Sequence, residues 1–82
     1  PPATATAAKT FRIQAASFRS EADANVLRAK LLLTDLPSSI ESSRVSGETW
    51  HRVIVGPFDK KAVADRAMTR LRQQNLTAIW LN

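Results

Sequence analysis

The sequence contains no cysteine, which excludes disulfide bonds and thiolate chemistry and leaves the redox compartment unread. It contains one histidine, and a zinc site needs three or four donors, so no metal is expected. No pair of acids falls into one expected cleft, and the usual arrangements of general acid, base and nucleophile are missing. A non-enzyme without a cofactor is the expectation. No run approaches the roughly 18 apolar residues that cross a bilayer, and the first residues lack the basic-then-apolar order of a signal peptide. Targeting information is expected outside this stretch, and any membrane attachment through upstream regions of a parent protein. Only two glycines occur, and disorder is not expected beyond the ends.

What is present suffices for one small domain. Eighty-two residues, 44% of them hydrophobic, fit a single core and not two. Twelve Lys and Arg against seven Asp and Glu give a formal charge of +5. That charge favours an acidic partner (nucleic acid, anionic lipid or anionic polysaccharide) or simply keeps a small domain soluble. Pro1 to Lys9 reads PPATATAAK, small residues and prolines without an apolar period. A flexible linker over 1–9 and a monomeric domain over 10–82 are therefore expected.

From Phe11 the residues alternate, Phe11, Ile13 and Ala15 on one face and Arg12, Gln14 and Ala16 on the other, which predicts a half-buried strand. Ser20 followed by Glu21 and Asp23 supplies an N-cap and first-turn acids for a helix ending near Asp35, with Ala24, Leu27 and Leu31 inward. Ser39 to Val45 and Glu48 to Val55 predict two strands joined by a Ser46-Gly47 hairpin turn, and Gly56-Pro57 is expected to end the second. Asp59 is expected to cap a second helix with Ala64, Ala67, Met68 and Leu71 on its apolar stripe. Thr77 to Leu81 is β-rich and predicts a closing strand. The order βαββαβ is met most simply by an α+β fold, a four-stranded antiparallel sheet of the ferredoxin-like or RNA-recognition type with two helices on one face. The two halves repeat weakly, Ser17-Phe18 matching Pro57-Phe58.

One sheet face is then open. If Val53 and Val55 point at the helices, Trp50 and Arg52 point away, as do Arg12 and Gln14 from the first strand. An outward indole is unexpected on a merely solvated face. It offers a flat platform for the C–H face of a sugar, and a glutamine amide both donates and accepts. Arg52 or Arg12 can clamp a carboxylate through two parallel hydrogen bonds. His51 falls on the inward face at the sheet edge and needs no role beyond structure.

Two segments carry a family resemblance. Phe11-Arg12-Ile13-Gln14-Ala15-Ala16-Ser17-Phe18 resembles the opening of the SPOR domain: aromatic, any, Val or Ile, Gln, any, small, Ser, Phe. Trp50-His51-Arg52-Val53-Ile54-Val55-Gly56-Pro57-Phe58 resembles its second segment: aromatic, any, Arg-Val, any, Val-Gly-Pro-Phe. The resemblance covers residues 11 to 82. It departs locally at Asp23-Ala24 (usually Asn-Ala), Ala16 (often Gly) and Asp35 (commonly a helix-ending Gly). It implies a periplasmic module that binds peptidoglycan glycan strands lacking stem peptides and targets its parent to the division septum. Carried over by position, the glycan-binding residues it implies are Gln14, Ser17, Trp50 and Arg52, with Ile79 in the last strand. No nucleic-acid partner is expected, because the sheet shows one clear outward tryptophan and no RNA-recognition segment. RNA recognition and a protein-interaction surface are the alternatives on the same fold. Trp80 is a second aromatic whose side of the sheet, like that of Ile79, alternation leaves open.

Overall fold

The computed structural model describes residues 10–81, so the expected linker over 1–9 lies outside the described residues. Six elements follow the expected order: β1 (Phe11–Phe18), α1 (Glu21–Leu33), β2 (Ser38–Val45), β3 (Glu48–Phe58), α2 (Lys61–Gln73) and β4 (Ile79–Trp80). The strands form one sheet in the order β2-β3-β1-β4, each neighbouring pair antiparallel. This is the α+β ferredoxin-like architecture.

The core forms because three apolar stripes meet on one side of the sheet. Ile13, Val53 and Val55 are fully buried and cluster with Ala24, Leu27 and Leu31 of α1 and Ala64, Ala67, Met68 and Leu71 of α2. Both helices thus cover the same face and, among the described residues, leave the other uncovered. Burying each large aliphatic side chain contributes about 1.5–3 kcal/mol, so this layer is the main source of stability in a chain without cross-links.

The two halves repeat more closely than sequence suggests. Phe18 and Phe58, the N-cap positions Ser20 and Lys60, and the left-handed residues Asp35 (φ 62°) and Asn75 (φ 63°) each lie 40 positions apart. At both helix ends the leucine after the left-handed residue donates back to the helix, Leu36 N–H to Leu31 C=O and Leu76 N–H to Leu71 C=O. Asp35 therefore fills the position where glycine is common, because Asp and Asn tolerate that conformation better than other side chains. Gln14 and Ile54, also 40 apart, face each other in the β1–β3 ladder. The pseudo-twofold axis passes between them.

Four local expectations are corrected. Gly56-Pro57 does not end β3, which continues to a buried Phe58 across a cis Gly56–Pro57 peptide. Since Phe58 anchors that end, the connection is only Asp59 and Lys60. Lys60, not Asp59, is the N-cap of α2, and it makes no side-chain cap bond. Ser20 does cap α1, accepting from the Asp23 amide at 3.4 Å. Ala16 does not share a face with Gln14: an irregularity between Gln14 and Ala16 sets Ala16 opposite the core residue Val53, packed on the core beside buried Ala15. His51 is on the helix-covered face as expected, but on an inner strand and not at the sheet edge; its Nδ1 lies 2.7 Å from the Ser42 hydroxyl.

Candidate functional site

The uncovered face can be read row by row from strand register. β2 and β3 pair without a shift from Ser38↔Val55 to Val45↔Glu48. Strict alternation therefore sends Glu48, Trp50, Arg52 and Ile54 to the open face, with Ser39, Glu41 and Ser43 beside them. Across β1, Gln14 stands opposite Ile54 and Ser17 opposite Arg52. Across β4, Ile79 pairs with Gln14 and Trp80 with Ile13. One row reads Ser39, Ile54, Gln14, Ile79, and the next reads Glu41, Arg52, Ser17. Trp50 lies one step further along β3.

The face thus brings together Arg12, Gln14, Ser17, Trp50, Arg52 and Ile79. Ile79 joins it because its partner Gln14 does, and it is 49% exposed. Trp80 shares the helix-covered side with Ile13, is 38% exposed, and has the Lys61 ammonium 5.5 Å from its ring centroid. A single tryptophan is therefore left on the open face among the described residues.

Ser17 reaches this face through a β-bulge. Counting in twos from Gln14 would leave Ser17 on the core side, but β1 has one more residue than β3 between Gln14 and Ala16. The extra residue, Ala15, is absorbed into the core, and every later side chain of β1 changes face.

The two arginines are in different states. Arg12 Nη2 donates to Glu41 Oε2 at 2.8 Å, both side chains partly exposed. Because β3 lies between β1 and β2, that bond spans β3 on the open face, where Ile54 is only 2% exposed. Arg52 has Glu41 directly opposite in register yet does not bond to it. Its Nε is buried and has no hydrogen-bond partner among the described residues, a state that costs about 1–3 kcal/mol. Of the two expected carboxylate clamps, Arg12 is occupied and Arg52 is open.

Trp50 is held from one side. The Arg19 guanidinium carbon lies 5.7 Å from its ring centroid, and Arg19 Nη2 donates to Glu48 at 2.7 Å. Such a contact is worth about 0.5–1 kcal/mol at an exposed site, enough to bias the indole's orientation. Glu41 and Arg19 are the parts of this face that the sequence did not single out, whereas alternation already set Ile54 beside Trp50 and Arg52. Alternation along β2 carries the signal for Glu41, and nothing local carries it for Arg19. Chemically, the face pairs an aromatic platform and an apolar floor with an amide, a hydroxyl and one unsatisfied guanidinium.

The family model described as SPOR domain matches residues 7–80. Among solved structures, the crystal structure of the RlpA SPOR domain from Pseudomonas aeruginosa is similar with a TM-score of 0.80 and 26% identity, covering 88% of this chain and 97% of that one. The solution structure of the peptidoglycan binding domain of the B. subtilis cell wall lytic enzyme CwlC is similar in fold, with a TM-score of 0.68 and 22% identity over 95% of each chain. No curated protein matches the chain at a significant level.

Proposed function

We propose a function from one premise: this chain belongs to the SPOR domain family. The chain is a binding module for peptidoglycan, and its ligand is the glycan strand from which stem peptides have been removed. Its parent protein is thereby held in the cell envelope, in the periplasm, and enriched at the division septum.

The observation that carries this reading is Arg52, whose buried Nε has no acceptor among the described residues although a carboxylate stands across the strand. A guanidinium poised in this way suits an incoming carboxylate, which it meets through paired charge-assisted hydrogen bonds. Removing a stem peptide from muramic acid uncovers one such group, the lactyl carboxylate. Trp50 stacks on a sugar ring, Gln14 and Ser17 read hydroxyl or N-acetyl groups, and Ile79 extends the apolar floor at the β4 edge. A strand with intact peptides carries an amide where Arg52 needs an anion, and added bulk beside the sheet. With Trp80 on the other side, the face lacks the two or three stacked aromatics on which RNA-recognition sheets rely.

Each contact contributes about 0.5–3 kcal/mol, so a single domain binds modestly and repeated sites along the wall supply avidity. The test is retention of the purified domain on sacculi treated with an amidase against untreated sacculi. Strong retention on treated material alone supports the reading, and equal retention on both sinks the selectivity for bare strands.

A further inference from the structure

The pseudo-twofold repeat makes Arg12 and Arg52 equivalent, 40 positions apart and flanking the axis at Gln14 and Ile54. Equivalent arginines should meet equivalent neighbours, and they do not. Arg12 reaches diagonally over β3 to Glu41 on β2. The position 40 residues beyond Glu41 is Leu81, which directly follows β4 and whose amide donates to the Arg12 carbonyl. The diagonal neighbour of Arg52 is thus a leucine where that of Arg12 is a glutamate, and Arg52 Nε has no acceptor among the described residues.

From this asymmetry we infer that Glu41 is a specificity-determining residue: by occupying Arg12 it leaves the face with one available guanidinium, fitting a chain with isolated carboxylates and disfavouring densely charged polyanions. The Arg12–Glu41 pair is partly exposed, with side chains 35% and 46% accessible. Such pairs are weak, with a median near 0–1 kcal/mol, so the role of Glu41 lies in the local field more than in stability. It places a negative charge directly across from Arg52. One sugar carboxylate is accommodated by the fork of Arg52 while Glu41 stays on Arg12. A second anion a few ångströms away meets a carboxylate instead of a free cation. In a domain of formal charge +5, this confines nonspecific attraction to acidic polymers without removing the clamp. The inference rests on the glycan reading for its preferred ligand, and its polyanion arm is scored independently of it.

The experiment compares the wild-type chain with Glu41→Gln and Leu81→Glu by calorimetric titration, using peptide-free glycan oligomers and a single-stranded oligothymidylate as the dense polyanion. Freeing Arg12 in Glu41→Gln is expected to tighten oligothymidylate binding about three- to tenfold at low salt and to steepen its log–log salt dependence by about 0.7, the value for one added phosphate contact on a single strand. Glycan affinity should change less than threefold. Leu81→Glu should give Arg52 the acceptor that Arg12 already has and weaken glycan binding about tenfold, while Leu81→Gln has a smaller effect. Unchanged oligothymidylate affinity and salt slope in Glu41→Gln, or equal tightening towards both ligands, would overturn the inference. A wild-type chain that fails to bind glycan would sink the glycan reading. The oligothymidylate comparison would still decide whether Glu41 restrains polyanion binding.

Discussion

Ser17 stands directly across the β1–β3 ladder from Arg52, and it does so because β1 accommodates one extra residue beside Gln14. A hydroxyl that simple alternation would bury is placed next to a guanidinium whose Nε lacks an acceptor among the described residues. The bulge thus links a sheet irregularity to the chemistry of the face, and the consequences can be measured.

Replacing Arg52 should separate binding from folding. Charge-assisted hydrogen bonds are worth about 1.5–3 kcal/mol, so Arg52→Gln is expected to lower affinity for peptide-free glycan tenfold or more in titration. Its thermal midpoint should hold or rise, because an unsatisfied buried nitrogen is removed. Arg52→Lys keeps the charge without the planar fork and should restore little. A large loss of stability in both variants would assign Arg52 to the fold instead.

Trp50→Ala should weaken glycan binding about tenfold, in line with one lost stacking contact, with far-ultraviolet circular dichroism unchanged since the indole is half-buried outside the core cluster. Trp80→Ala removes an indole from the opposite side of the sheet and should leave glycan affinity within about twofold.

The two glycines predict different costs. At Gly56 (φ 119°) an added Cβ would lie 2.9 Å from the Phe11 carbonyl oxygen, whereas at Gly47 (φ 82°) it meets nothing within 4 Å. Urea denaturation should show Gly47→Ala destabilised by about 1 kcal/mol from backbone conformation alone. Gly56→Ala should lose about 3 kcal/mol or more, because backbone atoms must also move. Equal costs would contradict the close approach.

Along α1, Leu31 is fully buried and Leu33 is 85% exposed. Leu31→Ala should cost about 2–5 kcal/mol and Leu33→Ala no more than about 0.5, again by denaturant titration.

Much of this was legible in the sequence, for reasons that also explain the rest. Long elements with strong periodicity declared themselves: the 3.6-residue stripe of Ala64, Ala67, Met68 and Leu71 and the alternation of Val53 and Val55 set the core. Trp50, Arg52 and Gln14 could be placed on the open face because β3 pairs with β2 without a shift and Gln14 precedes the extra residue of β1. Alternation failed after Ala15, where the bulge reverses the faces, so Ser17 was reached only through family resemblance. A strand of two residues carries no period, and Ile79 and Trp80 were separated only by their partners Gln14 and Ile13. Occupation of Arg12 by Glu41, 29 positions away, depends on strand order and register. Asp59 looked like a cap because local chemistry favours it, but buried Phe58 fixes where the sheet lets go of the chain.

The most direct test of the account is where a bare glycan touches the domain. Backbone amide shifts of the labelled chain, followed during titration with peptide-free glycan oligomers, should move most at Gln14, Ser17, Trp50, Arg52 and Ile79 and little along α1 and α2. Shifts concentrated on the helices, or none at saturating glycan, would contradict it.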